Sequence, residues 1–244
     1  MRILAQTVLG LGRGGRSLLW AVVVTAGFAL LARGLRGVSV SGAVAGAVMC
    51  FLLYVGAGPG AFVALVVLFA ITWVATRCGY RRKQNLGTAE RREGRRASQV
   101  LANLSVAAGC AAMFAWRDNS AWLLAMAAAL CEAGADTVSS ELGQALSPTA
   151  RLVTTWRSVP AGTDGGVSLA GTMSGAAAAG VIAAVCLGVG LLSSRQMVVA
   201  VLAAMIGVAT DSFLGAWLER RELLNNDAVN FLGTLAAACV TWLW

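Results

Sequence analysis

Apolar residues run along this chain in long uninterrupted blocks, and charge collects in the gaps between them. A membrane helix needs about 20 predominantly apolar residues, with a working range of roughly 17–25. By that measure the blocks predict spans near residues 17–34, 38–56, 60–77, 97–116, 120–137, 166–192, 196–217 and 227–244. The first, fifth and last are short, which bounds the count at seven to eight. The string Gly56-Ala57-Gly58-Pro59-Gly60 splits one long block and predicts a turn between the second and third spans. Arginines ahead of the first block resemble a signal peptide, but no A-x-A site precedes Arg33, so this stretch reads as an uncleaved anchor. Gly42 with Gly46, and Gly171 with Gly175, have the spacing that lets membrane helices approach closely. The expected fold class is therefore all-α, a polytopic integral membrane bundle of 7–8 transmembrane helices. It divides into an N-terminal segment 1–16 and a single transmembrane catalytic domain 17–244. That domain carries a basic loop at 77–96 and a Gly-rich loop at 138–165.

Composition sharpens this picture. Of 244 residues, 58% are hydrophobic and 12% charged, against about 25% charged in a soluble domain. Too few polar residues are present to cover a soluble surface. The loops after the first, third, fifth and seventh spans hold 14 of the 19 Lys and Arg residues, eight of them in 77–96. That bias places these loops in the cytoplasm, and in a prokaryote it places the protein in the plasma membrane. Ordinary positive-inside bias and contact with anionic lipids account for most of the net charge of +8, so no nucleic-acid partner is expected. The six cysteines occur singly, which implies neither a zinc site nor a disulfide framework. There is no histidine, which removes Ser-His and Cys-His catalysis and imidazole ligation. Acid, base or metal chemistry must use carboxylates, amides, hydroxyls and arginine.

Carboxylates inside spans cost at least about 2.5 kcal/mol each and mark functional sites. Here they are Glu132 and Asp136 on the fifth span and Asp211 on the seventh, with Glu141 just beyond the fifth. Glu132 and Asp136 are four apart and share a helix face, as do Gln99 and Asn103. In the alternating topology Asp136, Glu141 and Asp211 fall at the cytoplasmic ends of their spans. Gln99, Asn103, Thr163, Ser168, Asn226 and Asn230 fall at the same level. Polar groups from five spans thus converge on one leaflet.

The loop ahead of the sixth span carries Arg157 and then Gly162-Thr163-Asp164-Gly165-Gly166, entering the span at Ser168. Glycines let backbone N–H groups crowd around an anion, and the following helix N-terminus adds a favourable dipole. Arg157 and Arg151 are forked donors suited to phosphate. The loop is not a P-loop, since GxxxxGK[ST] is absent and the sole lysine is Lys83. With carboxylates nearby and no histidine, the coherent reading is Mg²⁺ plus phosphate, because Mg²⁺ takes one or two carboxylates and completes its shell with substrate oxygens.

Five strings resemble the transmembrane protein 19 family, formerly a domain of unknown function. They are RxxxQVLAN (Arg95, Gln99, Asn103), AGADTVSSELG (residues 133–143), TTWRSVPAGTDGGVSLAGT (154–172), TDSFLGA (210–216) and NNDAVN (225–230). They occur in that order over about residues 35–244. The family includes plant phytyl-phosphate kinase. The resemblance implies phosphorylation of an isoprenoid monophosphate, phytyl or polyprenyl, to the diphosphate by a nucleoside triphosphate, with CTP as a candidate donor. Taken with the residues above, it assigns Asp136, Glu141 and Asp211 to Mg²⁺ or to the acceptor phosphate. It assigns Arg95, Gly162, Thr163, Gly165, Gly166 and Ser168 to nucleotide phosphates and Arg157, with Arg95, to transition-state charge. Gln99, Asn103, Glu132, Asn226 and Asn230 form a polar shell. The lipid tail is expected along Ala- and Gly-rich faces such as that of the sixth span, and the active site is expected to face the cytoplasm. Membrane lipids are the surrounding partners, and homo-oligomerisation is left open. Two other classes stay open on the residues alone, a CTP-dependent lipid-phosphate cytidylyltransferase and an ion-coupled transporter.

Overall fold

In the computed structural model the backbone is described for residues 2–244 and side chains for 18–244; the expected N-terminal segment 1–16 lies outside the residues with described side chains. The chain is an integral membrane helical protein. Helix α1 spans Arg2–Gly34, α2 Val40–Arg77, α3 Tyr80–Leu86, α4 Ala97–Arg117 and α5 Ala121–Leu146. Three short strands follow, β1 Thr149–Leu152, β2 Ser158–Pro160 and β3 Gly166–Val167. Helices α6 Leu169–Gly188, α7 Ser194–Trp217 and α8 Asn226–Val240 complete the bundle. Among the described residues, five helices are long and apolar enough to cross a membrane: α2, α4, α5, α6 and the stretch beginning with α7.

Helix α2 is 38 residues long, and at 1.5 Å per residue it would be about 57 Å long if straight. It is not straight. Trp73 Nε1 donates to Leu35 O at 3.1 Å, and Arg77 donates to the same carbonyl at 2.6 Å. The two ends of α2 therefore lie side by side, and the helix folds back on itself. The fold-back falls at Gly58, whose φ of +82° is the single non-helical point. Only glycine adopts that conformation without a side-chain clash, and Pro59 suits the first turn of the returning half. This is the turn expected from the Gly-Pro string.

Helix α5 is the centre of the bundle and packs against α2, α4, α6, α7 and α8. Its residues from Leu124 to Ala135 are all buried. Small side chains let the neighbours close in. A Cβ on Gly175 would sit 2.8 Å from Ala135 O, and one on Gly171 would sit 2.6 Å from Ser139 O. The second glycine pair is thus a helix seam, as its spacing predicts. The first pair is not: Gly42 abuts the backbone of Arg95, while Gly46 faces open space and lines a cavity described below.

The all-α expectation needs one amendment. Within the Gly-rich loop, β1 pairs antiparallel with both β2 and β3, with Ala150 opposite Val159 and Arg151 opposite Val167. The strands are two to four residues long, too short for a sequence pattern to announce them. The basic loop also contains the short helix α3. Its Lys83 is fully buried and donates to Ala75 O at 3.2 Å, to Thr76 O at 2.8 Å and to Glu141 Oε2. This lysine binds the loop to the ends of α2 and α5.

Candidate active site

At the end of the bundle that carries the basic loop, the C-terminal turns of α5 and α7 and the first turn of α8 diverge around a polar cavity of about 130 Å³. Asp136 and Ser139 enter it from α5, Asp211 and Ser212 from α7, and Asn226 from α8. The Gly-rich loop roofs it with Gly162, Thr163, Asp164, Gly165, Gly166 and Ser168. Glu219, in the short turn after α7, completes the wall. Four carboxylates, Asp136, Asp164, Asp211 and Glu219, thus border one small space that, among the described residues, no Lys or Arg lines.

Local structure explains how each group arrives. Asn225 caps α8 by accepting from Ala228 N at 2.9 Å, which leaves Asn226 at the cavity and puts Asn230 one turn further in. The Asn230 amide donates to Asp211 Oδ2 at 3.2 Å and to Asn226 O at 3.3 Å. Ser168 caps α6 by accepting from Gly171 N at 3.1 Å. Gly162 and Gly165 have φ of +86° and +72°. At Gly165 a Cβ would also run into the Ala216 backbone, so glycine there lets the roof rest directly on the end of α7. The Thr163 hydroxyl donates to Pro160 O at 2.8 Å and ties the turn to β2.

Glu132 lies one turn deeper than Asp136 and is 1% exposed. It sits against Gly207 and Gly233, and Asp211 Cβ is close to Gly233. Its Oε1 has no hydrogen-bond partner among the described residues. Glu132 therefore underlies the cavity without lining it.

Other expected residues are placed elsewhere. Glu141 pairs with Lys83 and does not line the cavity with Asp136 and Asp211. Five residues separate it from Asp136, which turns it roughly 140° around the helix. Arg157 is exposed near the β1–β2 turn and is absent from the cavity wall, so this cavity has no arginine to meet phosphate charge. Gln99 is occupied with capping: its Oε1 accepts from Arg96 N at 2.8 Å while its Nε2 donates to Glu90 Oε2 at 3.2 Å. Asn103 donates to Gln99 O at 2.8 Å. Neither reaches the carboxylates; both line a different cavity.

That second cavity, about 480 Å³, lies between α1, the folded-back α2 and the start of α4. Its walls include Phe28, Cys50, Leu65, Leu68 and Phe69, and Phe28 meets Phe69 edge to face with ring centroids 5.4 Å apart. Arg36, Arg77, Arg91, Arg92 and Arg95 stand at one end. Arg95 is fixed by backbone bonds, Ser39 N to Arg95 O at 2.9 Å and Arg95 N to Gly37 O at 3.1 Å. Its guanidinium donates to Thr137 Oγ1 at 3.3 Å, beside Asp136. Arg95 thus stands where the two cavities adjoin, and α5 forms the wall between them.

Sequence reading missed Ser139, Asp164, Ser212 and Glu219 at the polar cavity and four of the five arginines at the apolar one. Glu219 lay beyond the end of α7, in the short turn that follows it, and helical spacing from Asp211 did not reach it. The arginines had a partial signal: the turn expected at Gly56–Gly60 returns the chain, so residues 36 and 77 fall on one side, but no pattern joined them into one cavity.

The donor set of the polar cavity is all oxygen, from carboxylates, amide and hydroxyls, which suits a hard cation such as Mg²⁺. Among the described residues no three His, Cys, Asp or Glu side chains form a ready-made metal cage.

The fold and this site define a polytopic helical membrane protein with a carboxylate-lined cavity beneath a Gly-rich roof. Residues 23–238 match the family described as integral membrane protein DUF92, and the chain belongs to that family. This agrees with the resemblance seen in the five strings. The chain is 33% identical over 217 residues to "Protein VTE6, chloroplastic" of Arabidopsis thaliana, covering 85% of this chain and 65% of that protein. It is 32% identical over 198 residues to "Uncharacterized membrane protein sll0875" of Synechocystis sp., covering 79% and 77%. It is 26% identical over 275 residues to "Protein PGR" of Arabidopsis thaliana, covering 92% and 94%. No solved structure matches the chain.

Proposed function

We propose that this chain is a membrane kinase that converts an isoprenoid monophosphate to the diphosphate with a nucleoside triphosphate, CTP being the first candidate. The observation that carries the reading is the cavity bordered by Asp136, Asp164, Asp211 and Glu219 under the Gly-rich roof. A triphosphate could not enter four carboxylates unaided, since like charges repel strongly where water is scarce. Asp136 and Asp211, on facing helices, would hold Mg²⁺, which when bound neutralises charge on the donor phosphates. Glu219 and Asp164 border the same space, and Asn226 offers a neutral oxygen. The Gly162–Gly166 turn supplies backbone close enough to cradle a phosphate chain.

The acceptor side needs little. A phosphate monoester has a second pKa of about 6 and is already ionised near neutral pH, so no strong general base is required. That suits a chain without histidine. Arg95 stands between the carboxylates and the second cavity, where it would hold the acceptor phosphate and share the charge of the loose transition state.

For topology we count eight crossings: α1, the two halves of α2, and α4 through α8. This puts the basic loop and the polar cavity on the cytoplasmic side by charge bias. A transport function finds less support, because α5 is apolar and buried from Leu124 to Cys131 and gives no polar path towards the far face. The test is purified protein with Mg²⁺, CTP or ATP, and phytyl or geranylgeranyl phosphate. Lipid diphosphate with nucleoside diphosphate is the expected product. CDP-lipid with pyrophosphate would make the enzyme a cytidylyltransferase, and no turnover with either nucleotide overturns the reading.

A further inference from the structure

We infer that the apolar cavity between α1, α2 and α4 is the binding site of a single-tailed lipid monophosphate, its tail inside and its phosphate on the arginine cluster at the mouth. The lining is apolar along its length, from Phe28 and Leu65 to Leu68 and Phe69. At one end only, it meets Arg36, Arg77, Arg91, Arg92 and Arg95, with Glu90 as the one acid. Glu90 is engaged by Gln99 Nε2, and Arg77 is held over the Trp73 ring at 3.8 Å and on Leu35 O. An excess of positive charge against an apolar slot is complementary to an amphiphile with an anionic head.

Size chooses between lipid classes. About 480 Å³ falls within the ~300–1,000 Å³ of small-molecule sites. A methylene occupies about the volume of a water, roughly 30 Å³, so about 480 Å³ corresponds to one chain of on the order of sixteen carbons. That is roughly half of what the two chains of a bilayer phospholipid would fill. Gly46 explains how the slot stays open, since nothing lies within 4 Å of where its Cβ would be. The cavity also adjoins the carboxylates: Ala133 lines the apolar side and Asp136, one turn on, lines the polar side.

This rests on the kinase reading for its choice of an isoprenoid phosphate, and it moves the tail from the sixth span to the slot beside α2. The experiment fills the slot. Gly46→Leu puts a side chain into open space and should fold; Gly109→Leu, at an exposed glycine on α4 with equally open surroundings and outside the slot, is the control. We expect Gly46→Leu to raise the KM for geranylgeranyl phosphate at least tenfold, with the KM for nucleotide within twofold of wild type. Dimethylallyl phosphate, with its short tail, should be used equally by both variants. Native mass spectrometry provides a readout without turnover: geranylgeranyl phosphate should be retained by wild type and Gly109→Leu and lost from Gly46→Leu. An unchanged KM and unchanged retention in Gly46→Leu overturn the site. Retention of a two-chain phospholipid that Gly46→Leu expels overturns the choice of occupant. Retention lost in Gly46→Leu while wild type makes no product upholds the site and sinks the kinase reading alone.

Discussion

The polar cavity beneath the Gly-rich loop and the apolar cavity beside α2 are separated by one turn of α5, from Ala133 to Asp136. The first has four carboxylates and no basic side chain; the second has five arginines and one glutamate. Two anionic substrates that must meet would repel each other in a uniformly basic pocket less than in water, but neither would be told from the other. On the proposed kinase reading, separating the charge types would give each anionic substrate its own recognition chemistry. A phosphate that arrives with a metal ion suits the acidic side, and one that arrives bare on a lipid tail suits the arginines.

The division breaks most visibly at the acids. Asp136→Asn and Asp211→Asn should each lower kcat by roughly 10³–10⁴-fold, about 4–5.5 kcal/mol of barrier, with lipid retention unchanged. A drop of less than tenfold would show that the carboxylates are not part of the reaction. Next in size is the link between the halves. Lys83 holds the basic loop, whose Tyr80 and Arg91 border the apolar cavity, to the Glu141 carboxylate on α5. Removing one partner of a buried pair leaves the other uncompensated. Lys83→Met should cost about 3 kcal/mol, read as a lower Tm in detergent, and the double variant Lys83→Met/Glu141→Gln should recover most of it. Failure of that recovery would mean the pair contributes packing rather than charge.

Two glycines with positive φ offer a finer comparison. Gly165→Ala adds backbone strain and a collision with Ala216, so it should raise the nucleotide KM about tenfold, near 1.4 kcal/mol. Gly58→Ala meets open space and should cost only the backbone strain of a region that glycine alone occupies freely, about 1–3 kcal/mol of stability, with both KM values unchanged. Smallest of all is Arg157→Ala. This side chain is exposed and outside both cavities, so activity should stay within twofold; a larger loss would bring the residue into the reaction after all.

Much of this was legible in the sequence. Block length located the helices, and the Gly-Pro string located the fold-back at Gly58. Helical spacing put Glu132 and Asp136 on one face, and alternating topology put Asp136, Asp211, Asn226 and Asn230 at one level. What stayed hidden depends on rotation about helix axes and on contacts distant along the chain. Glu141 lies at the right depth but faces Lys83, and depth is all that topology supplies. Gln99 reads as a polar group inside a helix, whereas its amide closes the first turn of α4. The roofing sheet has strands too short for any periodicity, and the slot exists only because residues 36 and 77 meet across the hairpin.

The sole lysine of the chain is fully enclosed, and this makes the folded protein unusual as a reagent. Amine-acylating probes should find no side-chain target until the end of α3 detaches from α5, so labelling at Lys83 would count opening events directly. The same holds for a lysine-specific protease, whose single cut would divide the chain within α3, between α2 and α4. An intrinsic opening reporter of this kind would let ligands be ranked by the protection they confer, with no turnover assay.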